Sequence, residues 1–213
     1  MGSSIALIIG AFITFDRTNY GTLIASVIGV TSLIFNAKGN AFGQVLMIAF
    51  SLLYGAVSFT FKYYGEMITY LGMTMPMSVL ALISWLRNPY NGNKAEVKVN
   101  GIHKKEQLFM WLLTGIVSTV FYFILEYFAT ANIIPSTISV ATSFLAVYLT
   151  FRRSPYFALA YAANDIVLIV LWVLASITDM RYISVAVCFL AFLFNDIYGF
   201  IHWRQMQKRQ NAV

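Results

Sequence analysis

Apolar residues in this chain come in unbroken stretches, not in the every-second-residue alternation of a half-buried strand or the single stripe of a soluble amphipathic helix. Seven stretches, at 20–36, 40–60, 66–87, 107–128, 135–152, 157–178 and 182–203, reach the roughly 17 to 25 residues that carry an α-helix across a bilayer. The pattern predicts an all-α polytopic membrane protein with seven transmembrane helices. An additional short apolar stretch, residues 3–15 (SSIALIIGAFITF), is too short to span and predicts a short N-terminal interfacial helix. No basic residue precedes it and no small-residue cleavage site follows, which argues against a cleaved leader.

The connections are short except at 88–106 (NPYNGNKAEVKVNGIHKKE), a polar loop containing Asn, Gly and Lys. That loop leaves three spans before it, residues 20–87, and three at the end, residues 135–203, with the span at 107–128 standing between them as a linker. Residues 1–19 form the N-terminal segment and 204–213 a tail. Span starts near 20, 40 and 66 recur near 135, 157 and 182, offsets of 115 to 117 residues. Side-chain identity between the triplets is weak, so the repeat is one of hydropathy. An odd number of spans between the triplets gives them the same orientation, a 3+1+3 parallel repeat about an axis along the membrane normal.

Basic residues set the direction. Arg17, Lys62 and Arg181 lie on one side; Lys38, Arg87, Lys94, Lys98, Lys104, Lys105, Arg152, Arg153, Arg204, Lys208 and Arg209 lie on the other, 3 against 11. The second side, with the 88–106 loop and the C-terminus, is therefore expected in the cytoplasm. Trp85, Trp111 and Trp203 fall near the expected cytoplasmic ends, and Tyr63, Tyr64, Tyr70, Tyr122, Tyr127 and Tyr182 near the outer ends, as an aromatic belt would place them.

Polar residues inside apolar spans single out the chemistry. Asn164-Asp165 and Asn195-Asp196 interrupt AYAANDIVLIVLWVLA and VCFLAFLFNDIYGFIHW. A carboxylate at the centre of a membrane helix costs roughly 2.5 to 3.5 kcal/mol on insertion scales, so it is expected to face a partner or a watery cavity. At 1.5 Å per residue Asn164 lies about 10 Å, and Asn195 about 12 Å, from the cytoplasmic ends of their spans, one shared depth. The pairs read either as one polar layer lining a passage or as interhelical glue. Asn164, Leu168 and Trp172 share a helix face, which would set an indole for stacking beside an amide for hydrogen bonding; Trp172 reads equally as a displaced belt residue. Tyr198 follows Asn195 by three and adds a hydroxyl to the layer.

In the first triplet Gln44, Ser51, Tyr54 and Ser58 form a polar stripe, and Gln44 and Tyr54 join the candidate substrate-binding set. Ser136, Ser139 and Ser143 form a similar stripe that reads as packing. Pro76, inside its span, removes a backbone hydrogen bond and marks a hinge, hence a gating role. Glu66 and Glu126, near outer ends, read as interfacial.

Composition narrows the function. The chain is 60% hydrophobic and 10% charged with a mean hydropathy of +0.75, far from the soluble norm of about 25% charged. Its 14 Lys and Arg against 8 Asp and Glu belong to loops facing anionic lipid, so nucleic acid is not an expected partner. Cys188 is alone, and His103 and His202 have no carboxylate at ligand spacing, so neither a metal nor another cofactor is expected. An enzyme reading would use Asp165 and Asp196 as an acid/base pair, but no nucleophile with an adjacent base accompanies them. A receptor or accessory subunit would have only 88–106 and the basic tail as partner surface.

The stretch GQVLMIAFSLLYGAVSFTFKYYGEMITYLGMTMPMSVLALISWLRNPYNGN, with NDIVLIVLW and FLFNDIYGFIHW, resembles the bacterial PnuC nicotinamide riboside transporters over about residues 20–204. Its most specific part is Tyr64-Gly65-Glu66-Met67 leading to Trp85 and Asn88-Pro89. The resemblance implies a SWEET-like fold and energy-independent facilitated diffusion of nicotinamide riboside, an NAD precursor, across the bacterial inner membrane. It further implies a homotrimer and functional coupling to a cytoplasmic riboside kinase that makes import one-way. Ser136 and Val147 stand where many relatives carry aspartate and glutamine, and related branches are associated with thiamine or riboflavin. The ligand roles of Asn164, Trp172, Asn195, Tyr198, Gln44, Tyr54, Asp165 and Asp196 rest on polarity and depth.

Overall fold

The computed structural model describes residues 2–60, 63–130 and 132–212. Lys62, counted above for orientation, lies outside the described residues. Helix α1 (Gly2–Phe15) is followed by α2 (Tyr20–Ala37), α3 (Phe42–Thr60), α4 (Tyr64–Arg87), α5 (Lys104–Tyr127), α6 (Ile133–Phe151), α7 (Phe157–Ser176) and α8 (Met180–Asn211). Among the described residues, the seven from α2 to α8 are long and apolar enough to cross a membrane, and α1 is the short additional apolar helix.

Local sequence explains the ends and the one irregularity. Asn19 caps α2, its side chain accepting from the Thr22 amide at 3.1 Å, which satisfies an otherwise orphan donor. Pro76 has no amide hydrogen, and its ring would collide with the carbonyl four residues back in an α-helix. Helix α4 answers with a π-helical stretch at Tyr70–Thr74, where the Met75 amide reaches the Tyr70 carbonyl. Helix α8 runs well past the predicted span end at 203: the expected tail is helical to Asn211, because Arg, Gln, Met and Lys favour helix and Met206 is buried.

Six helices close into a ring. Within each triplet the middle helix packs on both others: α3 on α2 and α4, α7 on α6 and α8. Between triplets the contacts are reciprocal, the third helix of each against the first helix of the other: α4 with α6, and α8 with α2. Helix α5 lies outside the ring against α6, with an apolar exposed face that includes Leu108, Phe109, Leu112 and Ile116, and α1 lies against α8 and α2. Close approach within the first triplet depends on Gly43: a Cβ there would strike the Asn36 side-chain oxygen, and the Gly43 carbonyl accepts from Ser32 at 2.8 Å.

The 88–106 segment is more ordered than a loop. Pro89–Tyr90 and Asn93–Val97 form a β-hairpin around Asn91 and Gly92, both at positive φ (48° and 75°), the backbone an Asn-Gly turn adopts. The hairpin straps both triplets at one end of the ring. Val97 donates to the Gly39 carbonyl at 2.9 Å, Val99 to the Gln210 side chain at 2.8 Å, and Asn100 to the Arg153 carbonyl at 3.0 Å. Arg209 pairs with Glu96 on the same strap.

Candidate functional site

The centre of the ring holds the two aspartates. Asp165 on α7 and Asp196 on α8 are both buried and their carboxyls lie within hydrogen-bonding reach of one another. With Asn164, Ser143, Thr74, Tyr70 and Tyr161 they line a cavity of about 20 Å³ whose apolar walls include Phe50, Phe189 and Phe192. That volume holds about one water-sized sphere. One Asp165 oxygen has no hydrogen-bond partner among the described residues. Asn164 accepts from Ser139, Thr142 and Ser143 at 3.3, 2.9 and 3.0 Å, so its carbonyl ties α7 to α6 while its side chain borders the cavity.

Aromatic rings close the cavity on both sides. Toward the end opposite the hairpin, Tyr54 and Tyr70 meet with centroids 4.6 Å apart, and Tyr54 also contacts Phe50, Phe189 and Trp172. Toward the hairpin end, Trp85 and Trp203 meet at 5.4 Å with Phe157 against both. Each of these tryptophans donates across the junction between triplets: Trp85 to the Thr150 carbonyl at 2.9 Å, Trp203 to the Asn36 carbonyl at 2.8 Å. Their preceding residues repeat the gesture, Ser84 donating to the Phe151 carbonyl at 2.9 Å and His202 Nδ1 lying 2.8 Å from the Ala37 carbonyl. Two equivalent latches therefore join the third helix of each triplet to the end of the first helix of the other.

A family model described as nicotinamide mononucleotide transporter matches residues 19–205. The chain belongs to that family. It is 25% identical over 203 residues to a nicotinamide riboside transporter PnuC from Neisseria mucosa, covering 93% of this chain and 77% of the relative. It is 22% identical over 189 residues to a nicotinamide riboside transporter PnuC from Haemophilus influenzae, covering 89% of this chain and 81% of the relative. A crystal structure of the vitamin B3 transporter PnuC superposes with a TM-score of 0.84 at 23% identity, over 98% of this chain and 90% of that one, a likeness of fold.

In this member of the nicotinamide mononucleotide transporter family, the residues expected to share a polar layer are divided. Asn164, Asp165 and Asp196 line the central cavity, and Tyr54 and Trp172 are buried on its side away from the hairpin. Asn195 does not face it: its amide donates to the Ser4 hydroxyl of α1 at 3.0 Å and to the Ala191 carbonyl at 2.6 Å. Tyr198 is 57% exposed on the outside of the ring, against His202. The bonds to Ser4 and Ala191 hold Asn195 toward α1, and Tyr198, two residues after Asp196, is turned about 200° from it around the helix. Gln44 is buried but donates to Asn36 at 2.8 Å, within a link between α2 and α3. Pro76 is exposed on the outer side of α4, and its effect on the cavity comes through the π-helical stretch that carries Tyr70 and Thr74.

Position near a span end misled on Trp85, Trp203, Glu66 and Tyr70, the last 6% exposed on the central cavity and not in an outer belt. Trp85 and Trp203 are 1% and 0% exposed, hence core and not belt, whereas Trp111 at 60% suits a belt. Trp172 is 2% exposed, which removes its belt reading. Glu66 is buried, while Glu126 is exposed as an interfacial residue would be. The signal for Glu66 was its place beside a second aromatic, Tyr63, in a helix that begins with Tyr64-Gly65: Gly65 permits close approach, since a Cβ there would meet Leu125 at 2.6 Å.

Proposed function

We propose that this chain carries nicotinamide riboside across a bacterial inner membrane by facilitated diffusion, with alternating access around the Asp165–Asp196 layer. The two triplets move as equivalent halves, and the hairpin end faces the cytoplasm, as the basic residues favour. The observation that carries the substrate is the charge of the enclosed layer. Two carboxyls, an amide and hydroxyls line it, and among the described residues no Lys or Arg does. Nicotinamide riboside presents a planar cationic ring and ribose hydroxyls, which suit aromatic walls, carboxyls and amides. Its mononucleotide adds a phosphate, which would enter a dry acidic layer with no cation to meet it, an unfavourable burial of like charge.

A cavity of about 20 Å³ does not admit a nucleoside, so loading requires the aromatic closures to part. Opening at Tyr54 and Tyr70 exposes the layer to one side; opening at Trp85 and Trp203 exposes it to the other. Membership of a transporter family supports a translocation role for the aspartates over acid/base chemistry. One-way import then comes from a cytoplasmic riboside kinase that phosphorylates the arriving nucleoside, and the working assembly is a homotrimer.

Uptake of labelled riboside into proteoliposomes tests the reading. The expected result is equilibration without an ion gradient or nucleotide, accelerated by riboside preloaded inside. Uptake of thiamine or riboflavin in place of riboside would overturn the substrate and leave the architecture in place.

A further inference from the structure

We propose that Glu66, Trp172, Tyr63 and Tyr182 form a second site, at the end of the ring opposite the hairpin, for a planar organic cation. Glu66 and Trp172, 8% and 2% exposed, border one cavity of about 20 Å³ with Tyr63, Leu171, Thr130, Asn132 and Ser136. Glu66 comes from the first triplet and Trp172 from the second, so the site spans the junction that alternating access must open. It is separate from the aspartate layer, with the Tyr54–Tyr70 contact between them.

Three rings pack on one another beside the cavity, Tyr63 and Trp172 on its lining and Tyr182 against both. The Trp172 indole lies 4.9 Å from Tyr63 and 5.5 Å from Tyr182, and the two tyrosines meet edge to face at 5.6 Å. Burial, with Tyr182 beside it, pushes the Tyr63 phenol up to about 12, so that ring stays neutral over any working pH. Three buried polar atoms on the cavity's lining residues have no hydrogen-bond partner of good geometry among the described residues: Glu66 Oε2, Thr130 Oγ1 and Trp172 Nε1. Glu66 also has no ion pair there.

The carboxyl and the ring faces favour the same ligand chemistry. A buried carboxylate without a counter-charge is unfavourable, and a cation seated beside it removes that penalty. Aromatic faces attract the same cation through their quadrupoles, which is how aromatic cages take quaternary nitrogen. A quaternary pyridinium satisfies both, and stacks, whereas an uncharged ring of the same shape satisfies only the stacking. Tyr63, partly exposed just before α4, is the wall that must yield for a ring to enter. The inference deepens the transport reading, on which it rests only for the natural ligand: the pyridinium of nicotinamide riboside would be held here on its way to or from the centre. Glu66 then adds, outside the aspartate layer, to the pathway's preference for a cationic base.

The test titrates purified full-length protein with N-methylnicotinamide, a pyridinium cation, and with uncharged nicotinamide, reading tryptophan fluorescence and equilibrium binding. The cation is expected to quench the wild type at a concentration about tenfold below that needed for nicotinamide. Glu66→Gln should shrink that preference, Glu66→Asp should keep more of it, and Trp172→Phe should remove the quenching while retaining binding. A cation preference undiminished in Glu66→Gln, or quenching undiminished in Trp172→Phe, would overturn the site. Glu66-dependent binding of the cation in a protein that transports no riboside would support the site and refute the substrate instead.

Discussion

Asn164 and Asn195 look alike in sequence and are placed unlike in the structure. Asn164 borders the central cavity and collects three hydroxyls from α6, while Asn195 turns to α1 and leaves the interior to Asp196. Asn164→Leu is therefore expected to weaken riboside binding by about 1 to 3 kcal/mol, because a polar partner is lost in a dry cavity. Asn195→Leu should bind within error of the wild type, and calorimetry on both variants checks the contrast. Equal losses at the two positions would show that Asn195 also reaches the ligand. Trp172→Ala should cost a stacked base about 1 to 3 kcal/mol. The Asn-Asp pairs were legible because charge inside an apolar span is expensive, but which member of each pair faces inward depends on neighbouring helices. The same gap explains Glu66, Trp85 and Trp203: distance from a span end is written in the sequence, whereas the helix that covers the side chain is not.

Helix α4 shows how one backbone defect shapes the cavity. Pro76 forces the π-helical stretch, and that stretch carries Tyr70 and Thr74 onto the cavity wall. Pro76→Ala permits an ordinary α-turn, which would rotate Tyr70 against Tyr54. Uptake rate is expected to fall more than riboside affinity, since the closure and not the central layer is altered. Unchanged uptake with weakened binding would remove the gating role. The hinge was legible from the missing amide of one proline; its π-helical form was not, because the helix could equally have kinked. The hairpin, in contrast, carried a readable signal in Asn91-Gly92, and its polar, Lys-containing strands masked it as a loop. Why those strands stay ordered lies elsewhere in the chain, in Gly39, Arg153 and Gln210.

At the scale of the whole molecule, Ser84-Trp85 and His202-Trp203 form a pair of latches at corresponding places in the two sets of three helices. The pair escaped the sequence because only the tryptophan is shared, while the acceptors are backbone carbonyls and carry no side-chain signature. Equivalent latches should have equivalent energetics. Trp85→Ala and Trp203→Ala are each expected to lower stability by about 3 to 5 kcal/mol, measured by thermal unfolding in detergent. A large loss for one and none for the other would contradict a matched pair. The acidic, enclosed layer in the ring is proposed to accept a ribosylated cationic base and to reject its phosphorylated form. Calorimetric titration of the wild type with nicotinamide riboside and nicotinamide mononucleotide tests this most directly. Saturable binding of the riboside and none of the mononucleotide is expected at matched concentrations; mononucleotide binding as tight as the riboside's, or tighter, would contradict that selectivity.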